Sequence, residues 1–397
     1  MGPLTGYRIL ELGSTAAGPF CTRLLADFGA EVVKIEPAEG DPIRSLGERF
    51  EGKSLYAASI ARNKHIASID LRKPAGRELL LRMLPKFDAV VENFRPGTLE
   101  GWGLSYEAMC GVRPDLVLAR ISGYGQDGPY ASRPGYGVIG EAVSGLREMI
   151  GDPDRPPARV AVPLTDYIAG VYCAFGTTMA LLHRERTGQG QCIDTALTEA
   201  AFSFMESHVP AYGKLGKVGT RTGSRLPNSA PNTLYPTGDG SHIHIAALAD
   251  GIFRRLAAAM GREDLASDPR YESQSARNGN EDSLDAVIAE WTTSKGLDEL
   301  EAILQAAKVP ASRIFTMKDI FADPQYAARQ MLQEVEDEDI GPLTLAGVVP
   351  RMSRTPGAIR WPGHRIGQDT VQVLRELAGA SDQEIDALLA AGVAFRS

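Results

Sequence analysis

Residues 7–20, "YRILELGSTAAGPF", pass from an apolar run into a turn of small side chains, and "CTRLLADFGAEVVKIEP" (21–37) follows directly. Strand, tight turn, helix and strand is the reading of residues 7–36. "RILEL" is the first strand. Phe20, Leu24, Leu25 and Phe28 recur at helical spacing, and Gly29 is placed to end the helix in a left-handed conformation. "EVVKIE" (31–36) forms a second strand, parallel to the first. The turn is wrong for a dinucleotide fingerprint, because Gly13 and Gly18 do not supply GxGxxG, although Glu36 stands where the ribose-binding acid would. A phosphate loop needs Gly-Lys followed by Ser or Thr, which is missing too. What stays is a run of side chains no larger than Thr at a helix N-terminus, suited to close approach of an anionic or carbonyl-bearing ligand.

Working outward, "HIASIDL" (65–71), "AGRELLLRMLPKF" (75–87), "AVVENF" (89–94) and "LVLARISGYG" (116–125) continue the alternation of strand and helix. This predicts an α/β fold with a doubly wound sheet and helices on both faces. Residues 163–184, "PLTDYIAGVYCAFGTTMALLHR", read as one long helix whose Ala169, Gly170, Ala174, Gly176 and Ala180 let another helix approach closely. Residues 206–238 read as a linker, with no acidic side chain after 206, four Lys or Arg and many Gly and Pro. A smaller α+β domain is expected over 239–322, carrying "HIHIAAL", "GIFRRLAAAM" and "LDAVIAEWTT". The tail, 323–397, turns helical again.

A chain of 397 residues is long for one core and predicts two domains. Its net charge of −8 argues against nucleic acid as partner, since phosphate neutralisation needs a basic face. No apolar run reaches the roughly 20 residues that span a bilayer. Cys21, Cys110, Cys173 and Cys192 form no CxxC pair and read as free thiols, buried at 21 and 173. With no basic-then-apolar leader at the N-terminus, they place the protein in the cytoplasm. The histidines show no metal-ligand spacing; His242 and His244 share one face of a strand, where packing or solvation is the expected role.

Asp166 begins the small-residue helix. One reading is a helix N-cap, a position Asp favours; the other is a carboxylate nucleophile stabilised by the helix N-terminus. Eight stretches then line up in order: "AAGP" (16–19), "NKHIASIDLR" (63–72), "VVENFRPGTLEGWGL" (90–104), "ISGYGQDGPY" (121–130), "PGYGVIGEAVSGL" (134–146), "PLTDYIAG" (163–170), "RERTGQGQCIDTAL" (184–197) and "YPTGDG" (235–240). Together they resemble the class III CoA-transferases, the family named for carnitine and bile-acid CoA transfer.

That resemblance implies a Rossmann-like large domain built from both termini (1–205 and 323–397 here), a small domain, and two identical subunits interlocked like chain links. It implies that the opening turn binds coenzyme A, a substrate, with no metal or redox cofactor. CoA contacts fall on Ala16 and Ala17; on Ile69, Asp70, Leu71 and Arg72; on Asn93, Phe94 and Arg95; and on Arg133, Pro134, Gly135 and Tyr136. Arg72, Lys73, Arg95 and Arg133 are the cations expected to meet phosphates. The family's nucleophilic Asp matches Asp166, which implies an acyl-aspartyl anhydride followed by an enzyme–CoA thioester. An acyl-CoA racemase of the same family is the nearest alternative, but there His stands where this chain has Tyr136, too weak an acid for that chemistry. An NAD-linked oxidoreductase is the alternative from another class, resting on Glu36.

The chain departs from the family pattern in three places. Gly101 replaces the usual Arg after "TLE", Gly137 stands where an acid often follows the Tyr, and the glycine-rich lid of formyl-CoA transferase has no counterpart, so formyl and oxalate specificity is not expected. For the acceptor, Arg44, Arg49, Arg221 and Arg225 in presumed loops suit the second carboxylate of succinate or a C5 acid.

Overall fold

The computed structural model describes residues 2–397, in which the chain divides into two compact units. The larger comprises residues up to Leu146, Val160–Lys217 and Gln325–Ser397; the smaller comprises Arg147–Arg159 and Val218–Pro324.

The larger unit is built on a seven-stranded sheet. Its strands are β1 (Arg8–Glu11), β2 (Glu31–Glu36), β3 (Lys64–Ile69), β4 (Ala89–Glu92), β5 (Val117–Ser122), β6 (Cys192–Ala196) and a short C-terminal strand, Ala394–Phe395. The order is 3-2-1-4-5-6, all parallel, with the C-terminal strand antiparallel outside β3. Alternate residues feed two cores, as a sheet covered on both faces requires. Ile9, Val32, Val91 and Val117 pack with Cys21, Leu25, Ala169 and Cys173 of α1 (Ala17–Asp27) and of a long helix, Leu164–Thr187. Leu10, Val33, Val90 and Leu118 pack with Leu79, Leu80 and Met83 of α2 (Pro74–Met83) and with Leu374 and Ile385 of the C-terminal helices Thr370–Glu376 and Asp382–Ala390. The mixed α/β architecture dominated by a parallel sheet is thus the expected one.

The order reverses between β1 and β4, so the chain leaves these two strands in opposite directions and opens a crevice at their carboxyl ends. The turn after β1 and the residues after β4 line that crevice. Two further helices reach it: α3 (Gly137–Val143) and the long helix, α4 (Leu164–Thr187). The small residues of α4 let it approach α1, where a Cβ on Gly170 would lie 3.0 Å from the Ala17 carbonyl oxygen. Cys21 and Cys173 are buried there, and all four cysteines are free.

The tail is fastened to the sheet by polar side chains. Asn63 donates to the Ala358 carbonyl at 2.9 Å and accepts from the Arg360 N–H at 2.7 Å, and Trp361 Nε1 donates to the Lys64 carbonyl at 3.2 Å.

The smaller unit has a three-stranded antiparallel sheet, β7 (Asn232–Pro236), β8 (His242–Ala246) and β9 (Ala311–Arg313), with β8 central. Tyr235, Ile243 and Ile245 pack with Phe253, Leu284, Ile288, Leu300 and Leu304 of its helices. The stretch that reads as a linker is structured: His208–Leu215 is a helix of the larger unit, and β7 is a sheet strand of the smaller. Its prolines misled, because Pro236 ends an edge strand, where its lost N–H costs no ladder bond.

Candidate active site

Asn93 governs the opening turn. Its side-chain oxygen accepts the Ser14 N–H at 2.7 Å, and its amide donates to the Ser14 carbonyl at 2.9 Å. The glycines that fail the dinucleotide pattern make room for this clamp. A Cβ on Gly13 would sit 2.9 Å, and one on Gly18 3.1 Å, from Asn93 Oδ1. Thr15 is held with φ +65° while its N–H donates to Asp41 Oδ1 at 2.9 Å. No side chain caps α1, so no capping side chain takes up its first N–H groups, an arrangement that suits an anionic group.

Beneath the turn lies a buried charge network. Lys34 Nζ pairs with Glu11 at 2.8 Å and Asp41 at 2.8 Å and donates to the Gly13 carbonyl at 2.6 Å. Lys64 Nζ pairs with the other Glu11 oxygen at 2.7 Å and donates to the Pro19 carbonyl at 2.7 Å. Burial pushes both lysines toward neutrality, but Lys34 faces Asp41, Glu11 and Glu36 and its pKa ends up raised. Lys64 has Glu11 as its close partner and Lys34 as a repelling neighbour, so burial wins and pulls it down to about 8. Glu11 is driven above its usual range by burial and brought below it by the two lysines.

Two cavities meet at this turn. One, of about 180 Å³, is lined by Ala16, Ala17, Asn93, Phe94, Arg95, Arg133, Gly135, Tyr136 and Asp166. The other, of about 240 Å³, is lined by Ile69, Asp70, Leu71, Arg72, Phe94 and Trp102. Ser14 and Phe94 belong to both. Asp166 and all the sequence-predicted CoA-contact positions except Pro134 therefore line one or other of these two cavities of the larger unit, whereas Lys73 lines neither. Trp102, edge-on to Phe94 at 5.3 Å, and Lys34 are lining residues that sequence reasoning missed. The "WG" inside "TLEGWGL" was the available signal for the former.

Asp166 is the third residue of α4, whose N-cap is Pro163, so it is not the helix cap. Its carboxylate lies against Gly137 at the start of α3, where a Cβ would be 1.9 Å from Asp166 Oδ2. Thr165 Oγ1 donates to the Gly137 carbonyl at 2.6 Å, stitching the two helix starts together. Next along the helix, the Tyr167 hydroxyl meets that of Tyr56 at 2.9 Å, and its ring packs on Phe20 at 4.5 Å. A larger residue at Gly137 would have to displace the Asp166 carboxylate from this position.

The expected cations fare unevenly. Arg133 stacks on Tyr130 at 3.5 Å, and Arg95 is exposed at the cavity wall. Arg72 is paired with Asp70 and Glu39, and Lys73 is spent on the carbonyls of Ala391 and Gly392. Of the four arginines considered for a second carboxylate, Arg44 is bound by Glu36, Arg221 by Glu148, and Arg225 by Asp282 and Asp285. Among the described residues Arg49 has no carboxylate partner; it donates to the carbonyls of Arg44 and Gly52.

The model of CoA-transferase family III matches residues 4–370. Succinyl-CoA–D-citramalate CoA-transferase of Chloroflexus aurantiacus is 46% identical over 98% of this chain and 97% of its own length. The alpha subunit of succinyl-CoA–L-malate CoA-transferase from the same organism is 40% identical over 97% of this chain and 91% of its own. A crystal structure of a CAIB/BAIF family protein from Brucella suis superposes with a TM-score of 0.84 at 34% identity, covering 95% of this chain and 99% of that one.

Proposed function

The chain belongs to CoA-transferase family III and is a CoA-transferase, and from that premise we propose that it moves CoA from succinyl-CoA to a dicarboxylic acid of four or five carbons through a covalent thioester on Asp166. The NAD-linked oxidoreductase reading is withdrawn, since the family is one of transferases and both relatives carry transferase names. The racemase alternative has no named relative in its favour among these. The observation that carries the mechanism is that Asp166 lines the same cavity as Ala16, Ala17 and Asn93 at the sheet's switch point.

In this reading an Asp166 oxygen attacks the thioester carbonyl, the C–S bond breaks, and CoA leaves as thiolate from a succinyl-aspartyl anhydride. The thiolate attacks the aspartyl carbonyl, the anhydride C–O bond breaks, and succinate departs. The acceptor carboxylate then attacks the enzyme thioester and expels the thiolate, which attacks the acceptor carbonyl and restores the Asp166 carboxylate. Every bond exchanged lies among carboxylates, thioester and thiolate, so we assign CoA thioesters as substrates and no resident cofactor. The helix N-terminus favours the anionic form of Asp166 at the start and end of the cycle. The uncapped α1 and the exposed Arg95 and Arg133 supply positive potential for the CoA phosphates.

We also assign the enzyme to a homodimer, as the resemblance implies. In support, Val171, Phe175, Met179 and Leu182 form an exposed stripe on α4, each about half accessible in the single chain. Light scattering at working concentration checks the mass.

The deciding experiment is to mix the protein with succinyl-CoA, quench, and map a CoA-sized adduct by mass spectrometry. The adduct should reside on the peptide holding Asp166, and Asp166→Ala should abolish exchange while CoA binding persists; comparable turnover by that variant refutes the mechanism. Gly137→Ala should displace the carboxylate and lower kcat by about 100-fold with melting temperature nearly unchanged. Unaltered kcat would show that Asp166 does not need its observed position.

A further inference from the structure

We propose that His65, His364 and Asp369 form a binding site for a divalent transition-metal ion of the zinc type. The three come from distant parts of the larger unit: His65 from β3, His364 from the segment after Trp361, and Asp369 from the residue preceding the helix Thr370–Glu376. Among the described residues they form the one group of three or more His, Cys, Asp or Glu whose ligand atoms all lie within 4.8 Å of one another. This site is independent of the transfer chemistry proposed for Asp166.

The donors already face each other. His65 Nδ1 is 3.4 Å from Asp369 Oδ1, and His364 Nδ1 is 2.8 Å from Asp369 Oδ2. Ligands about 2.0–2.1 Å from a tetrahedral zinc ion stand about 3.3 Å apart. Both donor pairs are near that spacing, the His364 pair being the shorter, and each histidine meets a different oxygen of the one carboxylate, so binding asks for a small rearrangement of all three side chains. Two imidazoles and one carboxylate are a borderline nitrogen-rich set, suited to Zn²⁺ or Co²⁺ rather than the all-oxygen shells of Mg²⁺ and Ca²⁺.

The surroundings hold the donors as a metal site needs. Asp369 Oδ2 accepts the Ile66 N–H at 2.7 Å, and the Asp369 N–H donates to the Ile66 carbonyl at 3.0 Å, fixing the carboxylate. Trp361 stacks on His364 at 5.8 Å and tilts against His65 at 5.5 Å, and its indole N–H is tied to the Lys64 carbonyl. Both imidazoles keep partial access, 28% and 19% of their side chains, so an ion can enter. A cavity of about 80 Å³ bordered by His364, Trp361, Gly363 and Gln368 opens beside His364. Three of the four acidic residues that also line it are already paired: Asp337 and Asp339 with Lys53 at 2.6 and 3.2 Å, and Glu338 with Arg365 at 3.4 Å. A bound ion would cross-link the first residues of β3 to the returning tail.

The test is calorimetric titration of the chelator-treated, desalted full-length protein with Zn²⁺, Co²⁺ and Mg²⁺, with His242→Ala as the control substitution. The site predicts one Zn²⁺ per chain, a visible Co²⁺ spectrum of low coordination number, and binding weakened about 100-fold or more in His65→Ala and in His364→Ala. Zn²⁺ binding of unchanged strength in both variants would put the ion elsewhere and overturn the proposal, as would Zn²⁺ binding no tighter than Mg²⁺. Should either variant fail to fold, carbethoxylation of the unsubstituted protein decides. Zn²⁺ must shield His65 and His364, and equal modification of both with and without the ion overturns the site.

Discussion

Lys64 and His65 are consecutive residues of β3, and the pleat sends them into opposite environments. Lys64 enters a cluster in which every charge is buried and matched: Glu11, Lys34 and Asp41 are each 3% exposed or less. His65 enters a cluster built on one carboxylate, open at its edge and bordered by a cavity. The first arrangement is closed. Its ions contact one another and the backbone of the opening turn, so its value lies in holding Gly13 and Thr15 in one shape before any substrate arrives. The second has donors that keep partial access to solvent, so an ion can reach them. Burial, more than residue type, separates a fixed brace from an exchangeable site. Coulomb attraction gains strength as water is excluded, while the cost of leaving either partner alone rises with it.

The hardest blow to this contrast is Lys34→Met. If the closed cluster is a brace, the variant leaves Glu11 and Asp41 short of a partner in a dry interior, and urea denaturation should show a loss of about 3–5 kcal/mol. A loss under about 1 kcal/mol would mean that Lys64 and the turn backbone suffice without it.

Lys64 sharpens the comparison through pH. Its folded pKa of about 8 lies below the ordinary 10.5. Below pH 8 both folded and unfolded chains hold the proton, and the fold bears the cost of the buried charge. Between about 8 and 10.5 the unfolded chain binds more protons, so the Lys64 contribution makes stability rise with pH, by about 1–3 kcal/mol across the window. The stability difference between the native protein and Lys64→Met, followed from pH 7 to 10.5, should show this slope. A flat difference would mean that Lys64 is not under strain.

The smallest effect belongs to the open cluster. In the metal-stripped protein His364→Ala removes one partly exposed hydrogen bond to Asp369, which should cost about 1 kcal/mol in the same denaturation experiment. A loss as large as that of Lys34→Met would erase the distinction between the two sides of β3.

Legibility in the sequence followed range. The β-α-β opening and the long small-residue helix with Asp166 in its first turn are local patterns that period and spacing sufficed to read, and the family motifs are local stretches read by resemblance. The linker was misread for a local reason as well: Gly and Pro announce turns but do not forbid an edge strand, and Asn232–Pro236 pairs with β8. Exposure in a loop says nothing about partners, and Glu36, Glu148 and Asp282 pair with three of the four arginines considered for the acceptor.

The sequence alone therefore determined the fold class, from hydrophobic period and turn chemistry, and the family, from motif order along short stretches of chain; the positions assigned to CoA are those the family resemblance implies. Tertiary structure alone decided that Asn93 clamps Ser14, that Gly13 and Gly18 exist to admit that clamp, that Gly137 yields its space to the Asp166 carboxylate, and that His65 meets Asp369 from 304 residues away. Such pairings depend on which strand lies beside which and how the tail returns. No local pattern carries that information, because the contacts are made only when distant segments share one sheet and one core.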